Sequence, residues 1–562
     1  MGLEFEQRVV RIDTRTGRQT AVFRVGNRPK GLAAAQDGVW VAVQASGTGH
    51  RGGRLVVIGA GFDSIDPALG ATTEAFNVFG LAYDGLTAFR RVGGSEGAQL
   101  VADLAAGLPL PTDRGRSYTF RVRAGIRYSD GSLLRAQDFR RALERMLVLG
   151  SPVLQDSALT KVVGAASCLP GRPCDLSRGV IVSGPNSLTI RLSSPDPKLL
   201  LALTLLAPVP AGMPPKDVGT NPVPSTGPYT IENYVPGRQL TLVRNSHFRS
   251  WSQRARPNGY PDEIAWRIGV RPDEAVRRII DGKADVLFNS VPADRVEELA
   301  ARYPHRLHLI PQHATAFVFL NAGRAPFDDI RVRRALNYAV DRRKMANLHG
   351  GPAVAQPTCQ TVPPTVPGYR RYCPYTADPD SSGEWKAPDL AKARELVAAS
   401  GTKGENIVVW TFPFFGKEGR YLVSLLRRLG YRAQLREFRD DGTYFATLAR
   451  TPSVQAGLAG WFGVALAADM FGTLSCHAAF NWAHFCDPRF EGHVKRLAAE
   501  QANDPASGAA LAARLDREIV NRAPWVPLFT PRFADFTSKR VGNYQPNTYA
   551  ATSVLLDQLW VR

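Results

Sequence analysis

The side chains with the most reactive chemistry lie close together in one short segment, CHAAFNWAHFC, which runs from Cys476 to Cys486. His477 and His484 lie between the two cysteines, so the segment contains four potential zinc ligands. Their spacing differs from the C-x2-C pairs of common zinc sites. We therefore interpret the two cysteines as a disulfide that closes a short loop, with a zinc site as the alternative.

All six cysteines of the chain fall into local pairs of this kind. Cys168 is followed by Cys174, and Cys359 is followed by Cys373. Short, even and local spacing predicts three disulfides, which form in an oxidising compartment outside the cytoplasm. The alternative interpretation is a set of six unrelated buried thiols.

Two glycine motifs resemble nucleotide-binding or catalytic signatures but lack the context that those signatures need. The glycines of GTGHRG (47–52) should open a helix, but a strand-like run, LVVIGA, follows them. The serine of GGSEG (93–97) should follow an apolar strand, but it lies in a polar loop. We find no nucleophile–base pair elsewhere. We therefore predict that the protein is not an enzyme and uses no cofactor or catalytic metal.

The charge balance is strongly basic. Lysine and arginine total 70, aspartate and glutamate total 50, and the formal net charge is +20. A nucleic acid or an anionic membrane is one class of partner for such a charge. The basic residues are spread along the chain beside acidic ones, however, and form no basic arm. We interpret the charge as a soluble, arginine-rich surface and predict no nucleic-acid partner.

The sequence contains no membrane span. Its most apolar segment, 199–207, is broken by Pro208 and Pro210, whereas a span needs about 20 apolar residues. The first residues, MGLEFEQ, carry charges and lack the apolar core of a signal peptide. Because the cysteines indicate a location outside the cytoplasm, the targeting segment is expected to be absent from this chain.

The length and periodicity predict a mixed α/β protein with more than one lobe. The chain has 562 residues, whereas single cores stop growing near roughly 250–300 residues. Tyr118, Phe120 and Val122 alternate with polar residues and predict a strand that has one buried face.

Apolar residues at helical spacing predict amphipathic helices over 139–147 and 332–340. Asp328 or Asp329 can cap the second helix, because a carboxylate accepts hydrogen bonds from the first free N–H groups. Three arginines of this helix are expected to face water: Arg331, Arg333 and Arg334.

The N-terminal segment has a pattern of its own. Residues 8–43 contain four short alternating runs, VVRID, TAVFRV, GLAAA and GVWVAV, which Gly, Asp and Pro turns separate. They resemble one blade of a bacterial β-propeller. Because a single blade cannot bury its own faces, residues 1–45 are expected to continue a longer propeller or to form a small β extension on the main body. The glycine-rich residues 46–53 predict a linker.

From Leu55 onward, short motifs occur in the order and spacing of one protein family. They lie at Asp63–Pro67, Tyr83–Leu86, Tyr118–Gly131, Ser225–Tyr229, Leu242–Asn245, Gly282–Asp285, Phe319–Asn321, Pro326–Asp328, Val332–Arg333, Ala339–Arg342, Ala523–Pro524 and Val526–Pro527. Each motif alone is weak. Together they resemble the peptide- and nickel-type solute-binding proteins of ABC importers, extracellular solute-binding family 5.

The resemblance implies a two-lobed α/β fold of the periplasmic-binding-protein type, with hinge strands between the lobes and an extra subdomain in the first lobe. The first lobe is expected over 54–312 and the second over 313–523. Residues 524–562 are expected to return to the first lobe, and the N-terminal β segment precedes both.

The resemblance also implies where a ligand binds. The Gly-Trp pair of the family matches Gly460 and Trp461, which Phe462 follows. In peptide-binding members an aspartate three residues after the tryptophan pairs with the ammonium group of the ligand, but here that position is Val464. Either another acid, Glu74 or Asp469, takes this role, or the ligand is not a peptide with a free amino group. The other expected ligand contacts are Thr72, Thr73, Asn321, Asn481 and Trp482.

These features predict a monomeric extracytoplasmic receptor that closes on a peptide-like ligand and delivers it unchanged to an ABC permease. Two alternatives remain open at this point. One is a receptor of the same fold for a non-peptide ligand or a metal complex, although the few methionines and scattered histidines argue against a metal. The other is a ligand-sensing domain of a larger signalling protein, which the propeller-like segment would favour.

Overall fold

The structure is a computed structural model that describes most of the chain. The described residues are 2–3, 8–13, 15–16, 19–24, 27–35, 38–45, 50–154, 157–196, 198–288, 291–461, 466–478, 480–501, 507–549 and 554–561. Phe462, a predicted ligand contact, and Val464 lie outside these ranges.

The N-terminal segment forms short strands. They are β1 (Gly2–Leu3), β2 (Arg8–Ile12), β3 (Gln19–Arg24), β4 (Asn27–Ala35) and β5 (Gly38–Ala45). The strands β1, β2 and β3 form one antiparallel sheet, and β4 pairs with β5 in another. The four predicted runs are therefore strands, but among the described residues they divide between two sheets. A propeller repeat stays a prediction.

The first half of the main body alternates strands with helices. Its strands are β6 (Arg54–Ile58), β7 (Thr87–Phe89), β8 (Leu100–Ala102), β9 (Ser117–Arg121), β10 (Val180–Val182), β11 (Ser187–Arg191), β12 (Tyr229–Val235), β13 (Gln239–Arg244), β14 (Glu263–Arg267), β15 (Val286–Leu287) and β16 (Leu307–Pro311). Its helices are α1 (Thr73–Ala82), α2 (Ala136–Val148), α3 (Leu199–Ala202), α4 (Pro272–Ile280) and α5 (Val296–Arg302).

The second half has longer helices. Its strands are β17 (Thr315–Leu320), β18 (Ala355–Pro357), β19 (Asn406–Thr411), β20 (Arg432–Glu437), β21 (Ala456–Trp461), β22 (Trp525–Thr537), β23 (Val541–Gly542) and β24 (Trp560–Val561). Its helices are α6 (Ile330–Ala339), α7 (Arg342–Leu348), α8 (Leu390–Ser400), α9 (Gly416–Arg428), α10 (Asp441–Leu448), α11 (Ala467–Gly472), α12 (Pro488–Gln501) and α13 (Ala509–Arg522).

One sheet of 12 strands joins the two halves. Its main path runs β12-β13-β14-β6-β15-β22-β17-β21-β19-β20, and β16 and β18 also pair with β22. The long strand β22 pairs with β17 near its start and with β15 and β16 near its end. The two halves are therefore connected by β22 and by the passage from β16 to β17.

The apolar side chains pack into separate cores on the two sides of this connection. Residues 316–474 supply most of one core, which also contains Trp525, Val526, Leu528 and Phe529. Phe536, near the end of β22, packs on the other side. The predicted two-lobed α/β fold is therefore confirmed. The chain leaves the core of the second lobe within β22.

The first lobe contains the expected additional layer. The strands β10, β11 and β9 form a separate antiparallel sheet, and α2 packs close to it. The disulfide between Cys168 and Cys174 lies in the same part of the chain. The other two predicted pairs, Cys359 with Cys373 and Cys476 with Cys486, are also bonded, so the disulfide prediction is confirmed.

The predicted helices are present, with one error in their exposed faces. The carboxylate of Asp329 caps α6 by accepting a hydrogen bond from the Arg331 N–H. Arg333 was expected to face water, but it is buried. Its guanidinium group donates to the carbonyl oxygens of Phe327 and Arg522. Its long side chain reaches the end of α13, a contact that helical periodicity cannot indicate.

The orientation of the strands brings the two lobes edge to edge. The strands β6, β14 and β15 run parallel, and so do β19, β20 and β21, so each set has its carboxyl ends at one edge. The strand β22 runs antiparallel to β17, which itself runs antiparallel to β21, so β22 leaves the second lobe at the edge where β19, β20 and β21 end. Because β22 also runs antiparallel to β15, it enters the first lobe at the edge where β6, β14 and β15 end. Ligands of open α/β sheets bind outside the carboxyl ends of the strands.

Candidate binding cleft at the facing sheet edges

The loop after β6 contains the first group of predicted contacts. Asp63 holds the loop, because its carboxylate accepts a hydrogen bond of 2.8 Å from the Thr72 hydroxyl. Thr72 in turn caps α1, since its hydroxyl oxygen accepts from the Ala75 N–H. Thr73 and Glu74 form the first turn of that helix. All three predicted contacts therefore lie at the edge of the first lobe that faces the second.

Glu74 has the electrostatic properties of a cation-binding group. Its side chain is half-buried, and burial raises the pKa of its carboxyl group. The negative charge of the nearby Asp63 carboxylate raises this pKa further. Among the described residues no cation pairs with Glu74. A partly desolvated carboxylate without a counter-ion is stabilised when a ligand supplies one.

The end of β21 forms the opposite side. Trp461 is the last residue of this strand and pairs with Thr315 of β17, while Gly460 pairs with Ala316. The Trp461 ring is half-buried, and its Nε1 atom is buried without a hydrogen-bond partner in the described part of the chain. Because a buried indole N–H normally has a partner, this donor is available to a ligand or a bound water.

A cavity of about 690 Å³ lies between residues of the two lobes. Its wall in the first lobe contains Asp294 and Glu297, which follow β15, whereas its wall in the second lobe contains residues 347–352 and Lys417. The two walls therefore carry opposite charges. A ligand with separated positive and negative groups matches this arrangement.

His349 lines this cavity and is held in place by contacts with several neighbours. It was not predicted from the sequence as a binding residue. Its Nδ1 atom lies 3.0 Å from the Glu418 carboxylate, and its ring lies 4.5 Å from that of Phe529 on β22. The neighbouring Phe414 remains 51% exposed on the loop after β19. No sequence pattern marked these residues, because their place at the cavity depends on the order of strands that lie far apart in the chain.

Two predicted contacts have other partners. The Nζ atom of Lys198 lies 3.1 Å from the carboxylate of Asp469 and joins the first lobe to the second. Asn321 lies at the end of β17 that points away from the cleft, and its amide donates to the carbonyl oxygens of Pro452 and Val454. The structure therefore does not bring Asn321 to the cleft, because β17 begins at the hinge and runs away from it.

Asn481 and Trp482 lie behind Trp461, in the loop that the Cys476–Cys486 disulfide closes. The Asn481 amide group is satisfied within this loop by the main chain of Phe485. The two cysteines bind each other and cannot ligate zinc. Within the described ranges, no three potential metal-ligating side chains cluster together.

Residues 99–481 match the sequence model of a family described as bacterial extracellular solute-binding proteins, family 5 Middle. The chain belongs to this family. The glutathione-binding protein GsiB of Salmonella typhimurium is 24% identical over 512 residues, which cover 87% of this chain and 91% of that protein. GsiB of an Escherichia coli strain is 23% identical over 528 residues, which cover 90% of this chain and 94% of that protein.

Solved structures of binding proteins share the two-lobed fold. Clavulanic acid biosynthesis oligopeptide binding protein 2 has a TM-score of 0.77 at 23% identity, covering 91% of this chain and 96% of that one. The unliganded open form of MppA, a periplasmic murein tripeptide binding protein, has a TM-score of 0.73 at 21% identity, covering 90% and 97%. Haemophilus influenzae OppA, in complex with RPPGFSPFR, has a TM-score of 0.63 at 19% identity, covering 90% and 98%.

Membership in family 5 makes the chain an extracytoplasmic solute-binding receptor, of the class that serves ABC importers. This class binds solutes and is not a class of enzymes. Within the described ranges, no helix combines the length and the apolar character that crossing a bilayer requires.

Proposed function

We propose that the protein binds a short peptide or peptide-like ligand between its lobes and delivers it unchanged to an ABC permease. The ligands for which its relatives are named or with which they were solved support this ligand class: glutathione for GsiB, a murein tripeptide for MppA and RPPGFSPFR for OppA. The walls of opposite charge and the 690 Å³ cavity suit a zwitterionic chain of a few residues.

The observation that carries the proposal is Glu74, a half-buried carboxylate in the first turn of α1 that has no cation partner among the described residues. The aspartate of peptide-binding relatives is replaced here by Val464, and Asp469 pairs with Lys198. Glu74 is therefore the acid that receives the ammonium group of the ligand. The Trp461 indole packs on the ligand and donates its N–H to it.

The second lobe supplies the complementary charge. Lys417 lines the cavity beside His349, and both lie across it from Asp294 and Glu297. A ligand carboxylate directed at Lys417 is stabilised by this charge. Contacts from both walls are complete only when the lobes approach each other, so binding shifts the population toward a closed form.

The proposed lobes are residues 54–312 and 313–523, with 524–562 returning to the first lobe, and they move about the two connecting segments. The continuous pairing of β22 with both halves supports this division. Residues 1–45 and the linker 46–53 precede the receptor. The proposed partner is an ABC permease, and the receptor acts as a monomer outside the cytoplasmic membrane.

Calorimetry and thermal-shift screening with glutathione and a set of unmodified di- to pentapeptides test this function. The purified protein is expected to bind at least one of these probes, and mass spectrometry is expected to recover the probe intact. Acetylation of the probe's amino group is expected to weaken binding about tenfold or more, because Glu74 then loses its cation. Conversion of the probe, or equal binding of the acetylated form, contradicts the proposal.

The variant Glu74→Gln sharpens the test, because it keeps the shape of the side chain and removes its charge. It is expected to weaken binding of the unmodified probe about tenfold or more and to leave the acetylated probe little affected. Glu232→Gln is the matched control, since Glu232 is exposed on β12 of the same lobe. An equal loss in both variants would show that Glu74 has no specific role.

A further inference from the structure

The ring of Trp461 is supported on one side by an aromatic stack. It lies parallel to the Trp482 ring, with an interplanar angle of 1° and a centroid distance of 5.8 Å. Phe480 contacts Trp461 edge-on at 5.2 Å. The Trp482 ring also stacks with Phe445 at 5.4 Å and contacts Phe319 at 5.9 Å. Trp482 therefore connects the cleft residue Trp461 to the core of the second lobe.

The strand β21 leaves room for this stack through a missing side chain. A Cβ atom at Gly457 would lie 2.7 Å from the ring of Phe319, closer than real contacts allow. Because Gly457 has no side chain, the Phe319 ring can lie over the strand that ends in Trp461. The stack is thus anchored on both β17 and β21.

The position of Trp482 is set by the loop that contains it. The Cys476–Cys486 disulfide closes this loop, and the Asn481 side chain hydrogen-bonds to the backbone of Phe485, which stiffens the turn from inside. The Ala483 carbonyl oxygen accepts a hydrogen bond of 2.7 Å from the Ala322 N–H at the end of β17. Each of these contacts is local to the loop or ties it to the sheet, and none depends on a ligand.

We propose that this disulfide-closed loop, residues 476–486, is the positioning element of the binding site, and that Trp482 is a positioning residue and not a ligand contact. The loop fixes the plane of the Trp461 ring, so that the cleft offers a preorganised aromatic surface to the ligand. Preorganisation matters here because immobilising a mobile side chain on binding lowers affinity. The expected effect of the loop on ligand affinity rests on the proposed function. The placement of Trp461 by the loop does not, and it can be tested without a ligand.

Tryptophan-specific ¹⁹F NMR tests the placement directly. The full chain is labelled with 5-fluorotryptophan, and Trp461→Phe identifies the resonance of Trp461 among those of the nine tryptophans. The double variant Cys476→Ser/Cys486→Ser is expected to shift or broaden the Trp461 resonance and to leave that of Trp266, buried in the first lobe, unchanged. The matched control is Cys168→Ser/Cys174→Ser, which removes a disulfide of the first lobe and is expected to leave Trp461 unchanged.

Two further variants keep the test decisive if the double variant does not fold. Trp482→Ala retains the disulfide and is expected to shift the Trp461 resonance, whereas Trp482→Phe retains an aromatic ring and is expected to restore most of its position. Glutathione and the peptide set are then titrated into the folded variants. The variants that move Trp461 are expected to bind about tenfold more weakly, and the first-lobe control is expected to bind as the unmodified protein does.

The outcomes separate the two proposals. An unmoved Trp461 resonance in both the loop variant and Trp482→Ala overturns the positioning role, whatever the ligand is. A moved resonance without any peptide binding to the unmodified protein supports the positioning role and contradicts the proposed function. A moved resonance with unchanged peptide affinity overturns the inference that the loop serves the binding site.

Discussion

At the scale of single residues, the first lobe buries a group of charges beneath α1. Asp84 pairs with Arg256, and Arg91 pairs with Asp557 through hydrogen bonds of 2.8 and 2.6 Å. Asp103 lies among them, and its carboxylate accepts a hydrogen bond from the Trp251 indole. Burial raises the pKa of Asp103 to about 7, and the Asp84 carboxylate adds to this rise, although Arg256 and Arg91 oppose it. Asp103 is therefore partly protonated in the folded protein near neutral pH.

This carboxyl group predicts a pH dependence of stability. Its pKa is higher in the folded protein, about 7, than in the unfolded chain, about 3.8, so the folded state holds the proton more tightly. The resulting contribution to stability is complete below about pH 4 and is lost as the pH rises to about 7. Relative to Asp103→Asn, the unmodified protein is expected to lose on the order of 2–4 kcal/mol over this range.

Urea denaturation of both proteins at pH 4.5 and pH 7.5 measures this difference. Asp113→Asn, an exposed site on the same lobe, controls for the change in net charge. A stability difference between the unmodified protein and Asp103→Asn that is the same at both pH values would contradict the prediction.

At the scale of elements, Arg342 joins three segments of the second lobe beside the hinge. Its Nε atom donates to the carbonyl oxygens of Thr358 and Pro527, and its guanidinium group also donates to that of Asn337. The side chain is fully buried, and the burial lowers the pKa of its guanidinium group to about 9. Its charge is satisfied by carbonyl dipoles, and no carboxylate among the described residues pairs with it. The start of α7 is thereby fixed to β22.

Arg342→Lys is expected to lower the free energy of unfolding by about 3 kcal/mol, because an ammonium group cannot form the same set of divergent hydrogen bonds. Arg343→Lys is the matched control, since the adjacent Arg343 is exposed, and it is expected to cost less than about 0.5 kcal/mol. Chemical denaturation of the two variants measures both values. Equal effects at the two positions would refute the role given to Arg342.

At the scale of the whole molecule, the two lobes have separate cores but share one continuous sheet. Among the described residues, β22 and the β16–β17 passage connect them, so a change in the relative orientation of the lobes is expected to bend these two segments. The ion pair between Lys198 and Asp469 joins the lobes directly. Both side chains are about one-third exposed, at 33% and 30%, so the pair is expected to contribute modestly to the relative stability of closed arrangements.

Removal of this ion pair is expected to weaken ligand binding two- to fivefold, because closure then loses roughly 0.5–1 kcal/mol. The measurement is a double-mutant cycle of Lys198→Met and Asp469→Asn, in which peptide or glutathione affinity is determined for each variant. The double variant is expected to bind as weakly as either single variant, and salt is expected to reduce the differences. Additive losses would show that the two residues act independently.

Local features of this fold could be predicted because they depend on neighbours in the sequence. Asp328 or Asp329 was expected to cap α6 because both precede an amphipathic run, and the structure gives this role to Asp329. The short spacing of Cys476 and Cys486 indicated their disulfide. The motifs from Leu55 onward indicated the family. The helical periodicity of α6 placed Arg333 on the face toward water, but the residue is buried. A long side chain on a polar face can still reach a buried partner.

The sequence by itself determined the family, the two-lobed α/β class, the pairing of the cysteines and the candidate residues Glu74 and Trp461. Only the tertiary structure decided which residues share a cavity or a partner: it placed His349 and Lys417 across a cavity from Asp294 and Glu297, paired Asp469 with Lys198 and directed the Asn321 amide to the main chain of Pro452. The physical reason is that a residue's side of the sheet follows from local alternation, whereas its neighbours across a cleft follow from the order and direction of strands that lie far apart in the chain.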